Sequence, residues 1–177
     1  MLIIQSIVYV SKVNIYIMSS FIKLRGKGVS RIINSKVMLS PLAGVTDKIF
    51  RKLVRKWAPD SLLFTEMINA TSLKHGYGTQ KIKQLELEKG PVGVQIFDNR
   101  PFAVSEAAKL AEDSGAFLID INMGCPVKKI SRKGGGSALI NDRVLAMELV
   151  KRVSNAVKVP VTVKTRLGWD NKEENIE

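Results

Sequence analysis

Phe117-Leu118-Ile119-Asp120-Ile121-Asn122-Met123-Gly124-Cys125-Pro126 is an apolar run, interrupted at every second late position by a polar residue, that breaks into a turn. Side chains alternate faces along a strand, so Phe117, Ile119 and Ile121 share one face and oppose Asp120 and Asn122. The strand expected over Phe117–Met123 therefore ends beside a thiol. A basic, glycine-rich loop, Lys128 to Gly136, follows it. A strand that delivers a reactive side chain at its carboxyl end is how an α/β barrel presents a catalytic group.

The same logic extends outward from this strand. From residue 36 on, apolar runs alternate with segments of helical period, the pattern of a parallel α/β protein. Strands are expected over Val37–Leu42, Leu62–Met67, Pro91–Phe97, Phe117–Met123 and Val161–Leu167. Between the first two, Thr46 or Asp47 starts a helix with apolar Ile49, Phe50, Leu53, Val54 and Trp57, and Pro59 stops it. Lys48, Arg51, Lys52, Arg55 and Lys56 read as its solvated face. A short helix is expected near Ala70–Leu73, then a polar connection through Lys89. Asn99 caps a helix that carries Pro101 in its first turn and is closed by Gly115. Asn141 or Asp142 starts a further helix running to about Val157, its buried face formed by Val144, Leu145, Leu149, Val150 and Val153. Asp170–Glu177 reads as the start of another.

Parity puts a polar residue near the carboxyl end of each strand. Ser40, Glu66, Gln95, Asn122 and Lys164 converge on one rim if the strands are parallel, and on that rim both barrels and open doubly wound sheets bind ligands. Lys164 is the least ambiguous, because a lysine inside a strand is rarely buried without an anion to meet. A lone cysteine is most often a small buried hydrophobe, but the place of Cys125 between Gly124 and Pro126, in a loop at the rim, leaves a functional role equally open. The glycines of the Lys128–Gly136 loop allow close approach to a ligand or a lid motion, but a flexible solvated loop has the same composition. No Gly-Lys-Ser/Thr ending follows them, so the loop is not a P-loop. His75, beside Gly76 and Gly78, reads as a surface residue.

Composition narrows the class. The chain has 177 residues, 45% hydrophobic and 25% charged, the profile of a soluble globular domain. One cysteine allows no internal disulfide and fits a reducing, cytoplasmic setting; with a single histidine, no metal site is expected. The net charge of +12 points to a polyanion, with nucleic acid first. Residues 1–22 are apolar, but Gln5, Ser11, Lys12 and Asn14 interrupt them, so no membrane span is expected. Residues 1–35 read as an N-terminal extension and lead-in, with Met18 as an alternative start. Residues 36–177 form the domain.

These segments resemble the tRNA-dihydrouridine synthases, flavin enzymes that reduce a uracil base in tRNA, and most closely their bacterial B-type branch. The resemblance rests on Ser40-Pro41-Leu42-Ala43-Gly44-Val45-Thr46-Asp47, Thr65-Glu66-Met67, Val94-Gln95-Ile96-Phe97, Asp120 through Lys129, Gly136-Ser137-Ala138-Leu139 and Val163 through Trp169, in family order. It implies an α/β fold: the N-terminal part, about five strands, of a TIM (β/α)8 barrel. A complete barrel takes about 250 residues, so the chain is expected to be truncated, without the second half of the barrel and the family's helical tRNA-binding domain. The resemblance further implies that Pro41, Leu42 and Ala43 lie against FMN. Gln95 and Lys164 would hydrogen-bond the flavin, with Asn122 beside flavin and substrate. NADPH would be the reductant, and Cys125 the acid that protonates C5 of uracil. Lys128, Lys129, Arg132, Lys133 and Arg166 are the residues expected to meet tRNA. Ser40 and Leu42 stand where the family usually has Ala and Met. Two other readings compete: a non-catalytic fragment, and another FMN barrel such as a dihydroorotate dehydrogenase. Oligomeric state is not legible.

Overall fold

The computed structural model describes residues 17–18 and 21–169. The expected helix at Asp170–Glu177 lies outside the described residues. Ile17–Met18 (β1), Phe21–Arg25 (β2) and Ser30–Ile33 (β3) form a small antiparallel sheet. These strands fall in the segment that reads from sequence as a lead-in, where no strand is expected. Then come Met38–Leu39 (β4), Lys48–Trp57 (α1), Leu62–Phe64 (β5), Ile68–Asn69 (β6), Ala70–Lys74 (α2) and Thr79–Lys83 (α3). A 3-10 turn at Gln84–Leu87 leads to Val92–Phe97 (β7), Pro101–Asp113 (α4), Leu118–Met123 (β8), Lys128–Ser131 (α5), a second 3-10 turn at Gly136–Ile140, Arg143–Ala156 (α6) and Val161–Thr165 (β9).

The main sheet is parallel in the order β4-β5-β7-β8-β9, with β6 also on β7. Its two faces differ completely. Val94, Ile96, Ile119, Ile121, Val161 and Val163 pack with Leu73 of α2, Ile82 of α3, Val104, Ala107, Ala108 and Ala111 of α4, and Leu149 and Val153 of α6. The opposite parity carries Leu62, Phe64 and Leu118, which pack not on helices but on Leu24 and Ile33 of the β2–β3 hairpin. Helices on one face and none packed in the other core mark a half-barrel rather than a doubly wound sheet.

The hairpin closes the N-terminal end of the strands. Leu62 and Leu118 each stand first in their strand, and the Arg31 guanidinium lies 5.3 Å from the Phe117 ring centroid. Gly26 sits so close to the Lys158 carbonyl and the Val159–Pro160 link that a Cβ there would strike backbone. A glycine at this point lets the hairpin seat against the entrance to β9.

Several local expectations are corrected. The strand expected over Leu62–Met67 is split: Phe64 pairs with Gly93 but Ile68 with Ile96, so one extra residue bulges out at Thr65-Glu66-Met67. There the Gln95 N–H donates to the Thr65 hydroxyl at 3.2 Å. The polar connection before Lys89 contains α3 and the 3-10 turn. Asn99 does not cap α4; Arg100 holds that position without a side-chain bond, and the Asn99 amide donates to the Lys133 carbonyl at 2.6 Å. Val144 is exposed rather than buried. The last strand stops at Thr165, two residues early, leaving Arg166 beyond it.

The largest reversal is in α1, whose start at Asp47 is as expected: the Asp47 carboxylate accepts from the Phe50 N–H at 2.8 Å. Part of its apolar stripe, however, faces outward, with Ile49 79% and Trp57 85% exposed and Phe50 and Val54 half-buried, while Arg51 is 3% exposed. Arg51 pairs with Glu88 and donates to the Thr46 carbonyl. Arg55 donates to the carbonyls of Pro59, Ser61 and Pro91. Loop carbonyls ahead of α1, β5 and β7 need donors, and two arginines that read from sequence as solvated supply them.

Candidate active site

The strand register builds the site. Gln95 pairs with Asp120, Asp120 with Thr162, and Asn122 with Lys164, so all five project from the inner face above the apolar floor. Four of them form one hydrogen-bonded column. The Thr162 hydroxyl donates to Asp120 Oδ1 at 2.6 Å, and Gln95 Nε2 donates to Asp120 Oδ2 at 2.6 Å. Asn122 Nδ2 donates to Gln95 Oε1 at 2.9 Å. Asn122 Oδ1 accepts the backbone N–H groups of Gly124 at 3.2 Å and Cys125 at 2.9 Å. A buried carboxylate is thus connected, bond by bond, to the turn that carries the thiol. Burial pushes the Asp120 carboxyl up to about 6, against the opposing pull of Thr162, Gln95 and Lys164.

Cys125 is half-buried and held from three sides. Its N–H is bonded to Asn122, its carbonyl accepts from the Ser137 N–H at 3.0 Å, and Arg166 Nε donates to the neighbouring Gly124 carbonyl at 2.8 Å. Gly136, at φ +58, lies against it so closely that a Cβ would come 2.6 Å from the Cys125 carbonyl oxygen. The glycine run therefore serves tight packing behind the cysteine. Backbone bonds from Lys133, Gly134 and Gly135 to Ile130, Ser131 and Ile130 order it, unlike a solvated loop.

The remaining expected residues divide into two groups. Pro41, Leu42 and Ala43 form the turn after β4, where the Leu42 N–H donates to the Thr46 hydroxyl at 3.0 Å and the Gly44 N–H to Glu66 Oε1 at 2.7 Å. Leu42 is half exposed. Glu66 also accepts from Lys81 Nζ, and these bonds hold its carboxyl below the usual range. Glu66 braces that turn and is not bonded into the central column; Lys164 is in register with Asn122 and half-buried. Lys128, Lys129, Arg132 and Lys133 are exposed on and just after α5, beside the cysteine turn, as is Arg166 beyond β9. His75 is exposed at the end of α2.

Asp120 and Thr162 are not among the site residues expected from sequence. The available signal was their shared layer: polar residues at matching depth in three successive strands, where barrel interiors favour branched apolar side chains. Among the described residues, no group of three or more His, Cys, Asp or Glu is placed to hold a metal, and no helix is long and apolar enough to cross a membrane.

A parallel half-barrel with a thiol, two amides and an amine at the carboxyl ends of its strands belongs to the α/β class that places its chemistry on that rim. The chain belongs to the dihydrouridine synthase family, whose model, "Dihydrouridine synthase (Dus)", matches residues 38–177. It is 50% identical over 147 residues to the "Probable tRNA-dihydrouridine synthase 1" of Synechocystis sp., covering 83% of this chain and 41% of that protein. It is 41% identical over 145 residues to the "Probable tRNA-dihydrouridine synthase" of Rickettsia prowazekii, covering 81% and 44%. It is 40% identical over 146 residues to "tRNA-dihydrouridine synthase B" of Vibrio parahaemolyticus, again covering 81% and 44%. The chain spans less than half the length of these curated relatives.

Proposed function

We propose that this chain forms the thiol-bearing side of a TIM-barrel site that reduces uridine to 5,6-dihydrouridine in tRNA, with FMN as cofactor and NADPH as reductant. The observation that carries the reading is the turn of Cys125, pinned by Asn122 at the head of a polar column in a chain of this family. The residues suit a flavin. Lys164, and the second N–H of the Gln95 and Asn122 amides beyond the one each gives within the column, supply donors above an apolar floor, a donor set matched to the carbonyl and ring-nitrogen acceptors of an isoalloxazine. Gln95 and Lys164 would hold it by hydrogen bonds, with Asn122 beside it and Pro41, Leu42 and Ala43 against its ring. When bound, FMN supplies the hydride that C6 of the uracil receives.

The chain's own residues supply the rest. Cys125 donates its thiol proton to C5, the role of a general acid. Asn122 fixes the backbone on which the thiol is carried. Lys128, Lys129, Arg132, Lys133 and Arg166 meet tRNA phosphates, which position the RNA without reading its sequence. The target base leaves its stack to reach the site. A tRNA substrate suits a cytoplasmic setting, and a charge of +12 suits tRNA better than the small acid that a dihydroorotate-type enzyme takes.

One observation favours a second reading, in which the chain does not turn over alone. The strand order ends at β4 and β9, and the helices next to them in the chain, α1 and α6, expose Ile49, Leu53 and Trp57 and Val144 and Met147. Edge strands and apolar faces of this kind are ordinarily covered. The deciding experiment adds FMN to the purified chain, follows flavin absorbance, and measures dihydrouridine in unmodified tRNA by mass spectrometry after NADPH addition. The first reading expects bound flavin, product, and a loss of about 100-fold or more in Cys125→Ala. A colourless, inactive chain supports the second; full turnover in Cys125→Ala removes the acid role.

A further inference from the structure

Both ends of the central column leave no freedom in how its amides are oriented. The backbone N–H groups of Gly124 and Cys125 can only donate, so the Asn122 atom facing them is its oxygen. Its nitrogen then faces Gln95, which must present its own oxygen there and its nitrogen to Asp120. An ionised carboxylate can only accept, and Asp120 takes this N–H with one oxygen and the Thr162 hydroxyl with the other. Each link is satisfied in one direction only. Asp120 is 4% and Gln95 1% exposed, so water does not readily replace a missing partner.

We propose that Asp120 is a positioning residue: through Gln95 and Asn122 it sets the backbone of the Gly124–Cys125 turn, and so the direction in which the thiol is presented. Asp120 stands three hydrogen bonds away from the turn, with Gln95 and Asn122 between, and is not bonded to it directly. The inference rests on the reading of Cys125 as the reacting group, but its test does not require activity.

Thr162 makes the test specific. Its hydroxyl both donates and accepts, so in Asp120→Asn the new amide oxygen can still accept from Gln95 while its nitrogen donates to Thr162. Asp120→Leu is similar in size and offers no acceptor. Amide hydrogen exchange of Gly124 and Cys125 is measured against that of Val94 and Ile121, which report on the sheet. We expect Asp120→Leu to speed exchange at the turn roughly tenfold or more relative to the sheet amides, and Asp120→Asn to restore it to within about twofold. Uniform acceleration of turn and sheet in Asp120→Leu, or equal loss in both variants, would reduce Asp120 to a packing role. Should Asp120→Leu fail to fold, the wild-type chain still decides. The side-chain amide protons of Gln95 and Asn122 must exchange far more slowly than those of exposed Asn141, and exchange at the exposed rate would refute the column. Failure of the uridine assay with protected amides would instead sink the functional reading and leave this inference standing.

Discussion

The floor and the column of the inner face are separated by two residues along each strand, Leu118 from Asp120 and Gly93 from Gln95, yet their physics is opposite. The floor is apolar and sealed: Leu62, Phe64 and Leu118 meet Leu24 and Ile33 of the hairpin, and Gly93 leaves room for the Phe64 ring. The column is polar and buried, and stays so because each of its side chains is hydrogen-bonded to the next. The floor contributes stability through area removed from water; the column contributes orientation, at a desolvation cost. The difference between them separates a sealed core at one end of the strands from the candidate site at the other.

The largest test of that division removes the floor. Leu118 is fully buried, and Leu118→Ala should cost about 2–5 kcal/mol in urea denaturation. The Gly124 and Cys125 amides should keep their protection relative to the sheet at denaturant concentrations where the variant is folded. A cost below about 1 kcal/mol would mean that the hairpin is not part of the core, and the contrast would fail.

The column should reveal itself by titration. Burial lifts the Asp120 carboxyl from 3.8 to about 6, so between those values the folded chain holds a proton that the unfolded chain has released. The unfolded state then binds fewer protons, and stability falls as pH rises. The contribution is full below pH 3.8, declines through the window and is lost above about pH 6. A shift of this size is worth on the order of 3 kcal/mol. Comparing wild type with Asp120→Asn by denaturation from pH 4 to 7 should show the wild-type advantage shrinking as pH rises. Parallel curves would show that the carboxyl does not titrate in this window.

The strands themselves, their parity and the rim of polar strand ends were legible because a period of two survives in β7, β8 and β9 and needs no tertiary information. What sequence could not show was which partners the alternating residues meet. In α1 the helical stripe of Ile49, Leu53 and Trp57 has the pattern of a core face, but the distant Glu88 carboxylate draws Arg51 inward and the distant Pro91 carbonyl draws Arg55. The bulge at Thr65–Met67 depends on register with a strand nearly thirty positions later. Gly93 poses the same difficulty, since a glycine inside a strand signals close approach without naming the ring it admits. Of the site, Gln95, Asn122, Cys125 and Lys164 were visible as polar exceptions. Asp120 and Thr162 became part of it only through cross-strand pairing.

Beyond the column stands a third level, the cations of α5 and the residues just after it, and it should carry the smallest weight in the fold. Lys128, Lys129, Arg132 and Lys133 are exposed, and the bonds that order their loop are made by backbone atoms. Replacing all four side chains by alanine should therefore leave stability within about 0.5 kcal/mol, as surface substitutions ordinarily do. The same replacement should weaken tRNA binding, and the salt dependence should show why. Each phosphate that is no longer neutralised takes about 0.7–0.9 off the slope of log affinity against log salt, so four of them correspond to roughly 3. Anisotropy titrations with labelled tRNA at several salt concentrations measure that slope directly. An unchanged slope would move the RNA to another face, whereas a reduced slope with unchanged stability would make the rim the inverse of the floor. Stability would then decline, and contact with RNA rise, along the same strand axis from Leu118 through Asp120 and Asn122 to the basic loop.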